Sequence, residues 1–138
     1  MKTILFVDDD RSFRELCKRV FQEEGYGIVL AEDGPEAIHA AKVERLDAVV
    51  LDVRMPGMCG FEVAEQLHDI APQLPVILYT ANDDMCTADC RAHYAAACVD
   101  KNTGFTELAM AIVRVLSPAG RGDAFRIGLP PRSAAIAV

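Results

Sequence analysis

The chain has 138 residues, 51% hydrophobic and 25% charged, with a formal charge of −7. That is enough chain for one domain with its own core, needing neither disulfides nor metals to hold it together. The acidic balance argues against direct nucleic-acid binding, which needs Lys and Arg to replace condensed counterions, and no apolar run approaches a membrane span.

The first stretch, Ile4-Leu5-Phe6-Val7, is a continuous apolar run that stops at Asp8-Asp9-Asp10. It reads as a buried strand and is too short, with acids too close behind, for a signal peptide. Phe13, Leu16, Cys17, Val20 and Phe21 then recur at helical spacing, with Asp10 or Ser12 as cap and Gly25 as stop. Ile28–Ala31 is a second strand, Glu32-Asp33-Gly34 a turn, and Pro35 suits the first turn of a helix carrying Ala37, Ile38 and Ala41. The third strand is Ala48-Val49-Val50-Leu51, closed by Asp52 and followed by the Met55-Pro56-Gly57 loop. Phe61, Ala64, Leu67 and Ala71 mark a third helix, which Pro72 and Pro75 end. Val76–Thr80 is a fourth strand, residues 82–94 a weakly amphipathic fourth helix, Ala97–Lys101 a short fifth strand, and Phe105–Leu116 the last helix. Five alternations of apolar strand and amphipathic helix predict an α/β domain over residues 1–116, a parallel sheet with helices on both faces. Residues 117–138 lose the pattern and are expected to be a mostly irregular tail.

Four strand ends deliver polar residues: Asp8 and Asp9, Asp52, Thr80 and Lys101. In open α/β sheets ligands bind outside the carboxyl ends of the strands. Three carboxylates brought together there repel one another unless a cation joins them. An all-oxygen set at a solvated rim suits Mg²⁺, which takes few protein carboxylates and keeps its waters. Carboxylates, a lysine and a hydroxyl also make a set for phosphoryl chemistry, one carboxylate being free to act as nucleophile.

These stretches resemble the receiver domain of two-component response regulators, over roughly residues 2–116. The resemblance is carried by Ile4-Leu5-Phe6-Val7-Asp8-Asp9-Asp10, Glu24-Gly25-Tyr26, Ala31-Glu32-Asp33-Gly34-Pro35-Glu36-Ala37, Asp52-Val53-Arg54-Met55-Pro56-Gly57-Met58-Cys59-Gly60-Phe61, Pro75–Ala81 and Lys101. It implies a flavodoxin-like (βα)5 fold with strand order 2-1-3-4-5. It also implies that Asp52 is the phosphoacceptor and that Asp8, Asp9, Asp52 and the backbone carbonyl of Arg54 hold Mg²⁺. Thr80 and Lys101 would bond the phosphoryl oxygens, and Arg54 and Asn82 would set the hydrolysis rate. The implied partners are a sensor histidine kinase or histidine phosphotransfer protein upstream and a target protein downstream, met in the cytoplasm. The target would be met on the face of the fourth helix, fifth strand and last helix. Residues 117–138 are too few for a helix-turn-helix domain, so a stand-alone regulator acting in trans is expected.

Three positions depart from the family pattern: Asn102 replaces the usual Pro after the lysine, Cys98 the usual aromatic switch residue, and Tyr94-Ala95 the usual Gly-Ala. A cis bond before a non-Pro residue costs about 2.5–4 kcal/mol. The loop at Asn102 is therefore either trans and reshaped or held by something local. Tyr94 in a left-handed cap would be strained, so the fourth helix is expected to end differently.

Two other functions compete. Asp8-Asp9-Asp10 also resembles the first motif of haloacid dehalogenase-type phosphatases, with Asp8 as nucleophile and Asp10 as acid/base, although that leaves Asp52 and its loop unexplained. A pseudo-receiver that binds partners without phosphorylation is the third reading. Elsewhere, Cys86, Cys90 and His93, with Asp89 nearby, share one face of the fourth helix, but three good ligands fall short of structural zinc, and the cysteines read as small buried apolar groups. The five scattered cysteines fit reduced thiols, and His39 and His68 read as surface residues without a partner.

Overall fold

In the computed structural model, residues 1–81 and 94–117 are described. Each apolar run in them is a strand: β1 Thr3–Val7, β2 Gly27–Ala31, β3 Ala48–Leu51, β4 Val76–Thr80 and β5 Ala97–Asp100. The helices are α1 Arg11–Glu23, α2 Gly34–Val43, α3 Gly60–Ile70 and α4 Phe105–Leu116. All four strand pairings are parallel, in the order β2-β1-β3-β4-β5, as expected. The predicted fourth helix over residues 82–94 lies, but for Tyr94, outside the described residues, as do Cys86, Asp89, Cys90, His93 and the tail from 118 onward.

Strand side chains alternate between faces, and the core divides accordingly. Leu5, Val7, Val49 and Leu51 pack on one side with Ala37 of α2 and Ala64 and Leu67 of α3. Ile4, Phe6, Val50 and Ile77 pack on the other with Cys17 and Phe21 of α1 and Leu108 and Ile112 of α4. Both faces of the central strands are thereby dry, which is why those strands read as unbroken apolar runs.

Local chemistry fixes the helix starts. The Asp10 carboxylate accepts from the amides of Ser12 (2.9 Å) and Phe13 (3.3 Å) and so caps α1. Asp33 does the same for α2 through Glu36 N (2.9 Å), while Glu36 accepts from Glu32 N (2.7 Å). At α3 the Cys59 amide donates to Glu62 Oε1 (3.3 Å). Gly60, the first residue of that helix, presses against the backbone of Asp52 and Val53, leaving no room for a Cβ.

The departures resolve in three ways. No described peptide bond is cis, so Asn102 sits in a trans, reshaped loop. Lys101–Thr103 form a 3-10 turn capped by Asp100, whose carboxylate accepts from Asn102 N (2.8 Å), and Gly104 leaves it at φ +79°. Tyr94 is not left-handed, since no described non-Gly residue has positive φ. Its ring instead lies 4.8 Å from that of His68, correcting the reading of His68 as partnerless. The expectation of reduced thiols holds for Cys17 and Cys59, which are free, but not for Cys98, which is disulfide-bonded. Among the described residues no helix is long and apolar enough to cross a membrane.

Candidate functional site

The register of the two central strands builds the site. Val7 pairs with Leu51, so Asp8 and Asp52, the next residue on each chain, leave the sheet side by side. The Asp52 amide donates to Val7 O (3.0 Å) and the Asp8 amide to Ala31 O (3.2 Å), so both acids hang from the last rungs of the ladder. Asp8 and Asp52 are buried, 2% and 7% exposed, whereas Asp9 faces solvent. One carboxylate oxygen from each of Asp8, Asp9 and Asp52 falls within 4.8 Å of the others. An open three-carboxylate cluster with a solvated member matches the donor chemistry of Mg²⁺.

Lys101 closes the site from the opposite side of the sheet's midline. Its Nζ lies 2.7 Å from Asp8 Oδ2 and 3.4 Å from Asp52 Oδ2. The other Asp8 oxygen accepts from Asp10 N (2.9 Å), and Asp52 Oδ1 accepts from Arg54 N (3.2 Å). Burial pushes the Asp52 pKa up, and the Asp8 charge adds to that push; Lys101 and the Arg54 amide pull against it without cancelling it. For Lys101, burial works to lower the pKa, but the Asp8 hydrogen bond and the Asp52 and Asp8 charges outweigh it and hold the ammonium above its usual value. A carboxylate kept uneasy as an anion beside a firmly protonated lysine has the character a nucleophile would need, its charge not fully quenched by the surroundings.

Thr80 is fully buried at the end of β4, in register with Asp100. That places it at the same sheet end as the acids. Arg54 enters the site by its amide, which donates to Asp52 Oδ1. Asn82 lies outside the described residues. Asp10, the acid/base of the phosphatase alternative, is occupied in capping α1, and that alternative is not favoured. Met55 packs into the core, and Met58 packs against it.

Two residues at the site were not singled out from sequence. Arg14 donates from Nη1 to Asp8 O (2.7 Å), and its Nη2 lies 3.9 Å from Glu32 Oε2. Phe13 places its ring centroid 4.6 Å from Lys101 Nζ. Their position just after three acids is the only hint the sequence offers, and Phe13 fits the apolar stripe of α1 equally well.

A doubly wound parallel sheet with an acid cluster and a lysine at its carboxyl rim defines a class of phosphoryl-handling or cation-binding α/β domain. The profile of the response regulator receiver domain matches residues 4–113, and the chain belongs to that family. The response regulator MprA of Mycolicibacterium vanbaalenii is 46% identical over 82 residues, covering 59% of this chain and 36% of MprA. The chain thus spans about a third of the length of the curated relatives it matches. Among solved structures, the response regulator TrrA of Thermotoga maritima, in complex with Mg²⁺-BeF, is 39% identical with a TM-score of 0.79, over 84% of this chain and 100% of TrrA. The chemotaxis protein CheY4 of Vibrio cholerae is 28% identical with a TM-score of 0.75, over 84% of this chain and 99% of CheY4. A further structure holds TrrA in complex with the histidine kinase ThkA, at 39% identity and a TM-score of 0.78, over 85% of this chain and 100% of TrrA.

Proposed function

We propose that the domain accepts a phosphoryl group on Asp52 from the phosphohistidine of a sensor histidine kinase or phosphotransfer protein, with Mg²⁺ in the acid cluster, and signals through a partner protein. The observation that carries this reading is the Lys101 ammonium seated between Asp8 and Asp52, with Asp9 completing a carboxylate set of suitable size. The kinase complex of the TrrA relative supports the upstream partner, and its Mg²⁺-BeF complex supports the cation.

In the transfer, an Asp52 carboxylate oxygen attacks phosphorus as the P–N bond to the donor histidine breaks. The imidazole leaves with the bonding pair, and an acyl phosphate forms on Asp52. Bound Mg²⁺, held by Asp8, Asp9, Asp52 and the Arg54 carbonyl, would neutralise charge on the phosphoryl oxygens. Lys101 exchanges its Asp52 contact for a phosphoryl oxygen, and the Thr80 hydroxyl donates to another. The domain works as a cytoplasmic signalling module, not a metabolic enzyme. Its target meets the face formed by β5, α4 and the segment that the sequence predicts as a helix over residues 82–94, with no direct nucleic-acid contact.

The test uses acetyl phosphate with and without Mg²⁺, followed by intact-mass measurement. A gain of about 80 Da, one phosphoryl group, that needs Mg²⁺ and disappears in Asp52→Ala supports the reading. An adduct that survives Asp52→Ala and vanishes in Asp8→Ala would refute it, and no adduct at all would favour a non-phosphorylated interaction module.

A further inference from the structure

We infer that Phe13 is a positioning residue for Lys101, holding its ammonium over the ring face throughout the change of partner that phosphorylation requires. The inference rests on the reading of Lys101 given above. Lys101 Nζ stands 4.6 Å from the Phe13 ring centroid and 6.0 Å from that of Tyr79. Both distances lie within the range in which the negative face of an aromatic ring attracts a cation. The ammonium therefore has two carboxylates and two rings around it, with its side chain only 23% exposed.

The ring itself is firmly placed. The Phe13 amide is part of the α1 cap on Asp10. Its ring lies against Tyr79 (centroids 5.6 Å, tilted) and stacks on Phe105 (6.0 Å). Swinging away would cost Phe13 its ring contacts with Tyr79 of β4 and Phe105 of α4.

The chemistry explains why a ring suits this place. A hydrogen-bonding partner for Lys101 would compete with the phosphoryl oxygen for the same protons. A quadrupole attracts the charge without claiming a proton, so the hold persists while the ammonium moves from carboxylate to phosphoryl oxygen. Phe13 touches neither nucleophile nor phosphoryl group and acts only through Lys101.

Truncating Phe13 would also remove its ring contacts with Tyr79 and Phe105, so the test keeps the shape and changes only the ring's electrons. Phenylalanine, 4-fluoro-, 3,5-difluoro- and 3,4,5-trifluorophenylalanine are placed at position 13 by site-specific incorporation. Phosphorylation by acetyl phosphate at saturating Mg²⁺ is then followed by intact mass. The rate is expected to fall stepwise with fluorination, by about threefold to fivefold across the series. A flat series overturns the inference. Absence of any adduct on the parent protein would instead refute the receiver reading. The positioning then stands or falls on the Lys101 ε-methylene protons, shielded by the ring in the parent and expected to move downfield in Phe13→Leu; unchanged shifts overturn it.

Discussion

The centre of the sheet and its β5 edge are built on different terms. In β1 and β3, every residue from Ile4 to Val7 and from Ala48 to Leu51 is buried, packed from both faces, and ends in an acid of the site. In β5 only Val99 is buried; Ala97, Cys98 and Asp100 are half-exposed. The three departures from the family pattern, Tyr94, Cys98 and Asn102, all lie beside or on this edge. The paired acids therefore rest on strands packed from both faces, while Lys101 follows β5 directly and reaches them from the half-exposed edge that is proposed to meet the target. That edge thus carries both a side chain of the site and the proposed readout, so a change along β5 can reach the acids through Lys101.

Substitutions probe that contrast, starting with the centre. Leu51→Ala, directly before Asp52, empties a fully buried site and is expected to cost about 2–5 kcal/mol in urea unfolding. A loss below about 1 kcal/mol would mean the centre is no stiffer than the edge.

Asp52→Asn acts at the same strand end with the opposite sign. Burial and the Asp8 charge raise the folded pKa of Asp52 above its ordinary value of 3.8, so the ionised group costs stability at every pH above the folded pKa. As pH falls through that value toward 3.8, protonation relieves the cost. The variant is therefore expected to melt higher than the parent at pH 7 in EDTA, with the gain shrinking as the pH approaches 4. A lower melting temperature at pH 7 would show that Lys101 and the Arg54 amide more than compensate the burial and the Asp8 charge.

The smallest effect belongs to the β5 side of the molecule. Val113 of α4 is 58% exposed, and Val113→Ser is expected to change stability by no more than about 0.5 kcal/mol. A larger loss would show that this face is packed and not free to meet a partner.

Most of the architecture was legible because the central strands are buried on both faces. Ile4–Val7 and Ala48–Leu51 announce themselves as unbroken apolar runs, and Asp10 announces the first cap by its place before a helical stripe. The acids and Lys101 were legible as residues that end such runs. What stayed hidden depends on groups far apart in sequence. Phe13 counted as one more apolar helix residue because the cation it faces is Lys101. Gly60 gave no sign that α3 presses on the Asp52 backbone, since that contact exists only once the loop after β3 has closed. The sequence left the Asn102 bond open between two forms, and the Asp100 cap accompanies the trans one. Cys98 looked like one of five scattered thiols because spacing alone does not say which cysteines meet.

The last rungs of the ladder have one more consequence. The Asp52 amide is bonded to Val7 O, between the central strands β1 and β3, and the Asp8 amide to Ala31 O at the end of the edge strand β2. Amides so placed exchange with solvent mainly when the cooperative unit that holds them opens. The Asp52 amide is thus expected to exchange when the β1–β3 pairing opens, and the Asp8 amide to follow the looser end of the β1–β2 pairing. Opening of the β1–β3 pairing would part Asp8 from Asp52, so a variant destabilised there is expected to exchange the Asp52 amide faster and to hold the two acids together in fewer molecules.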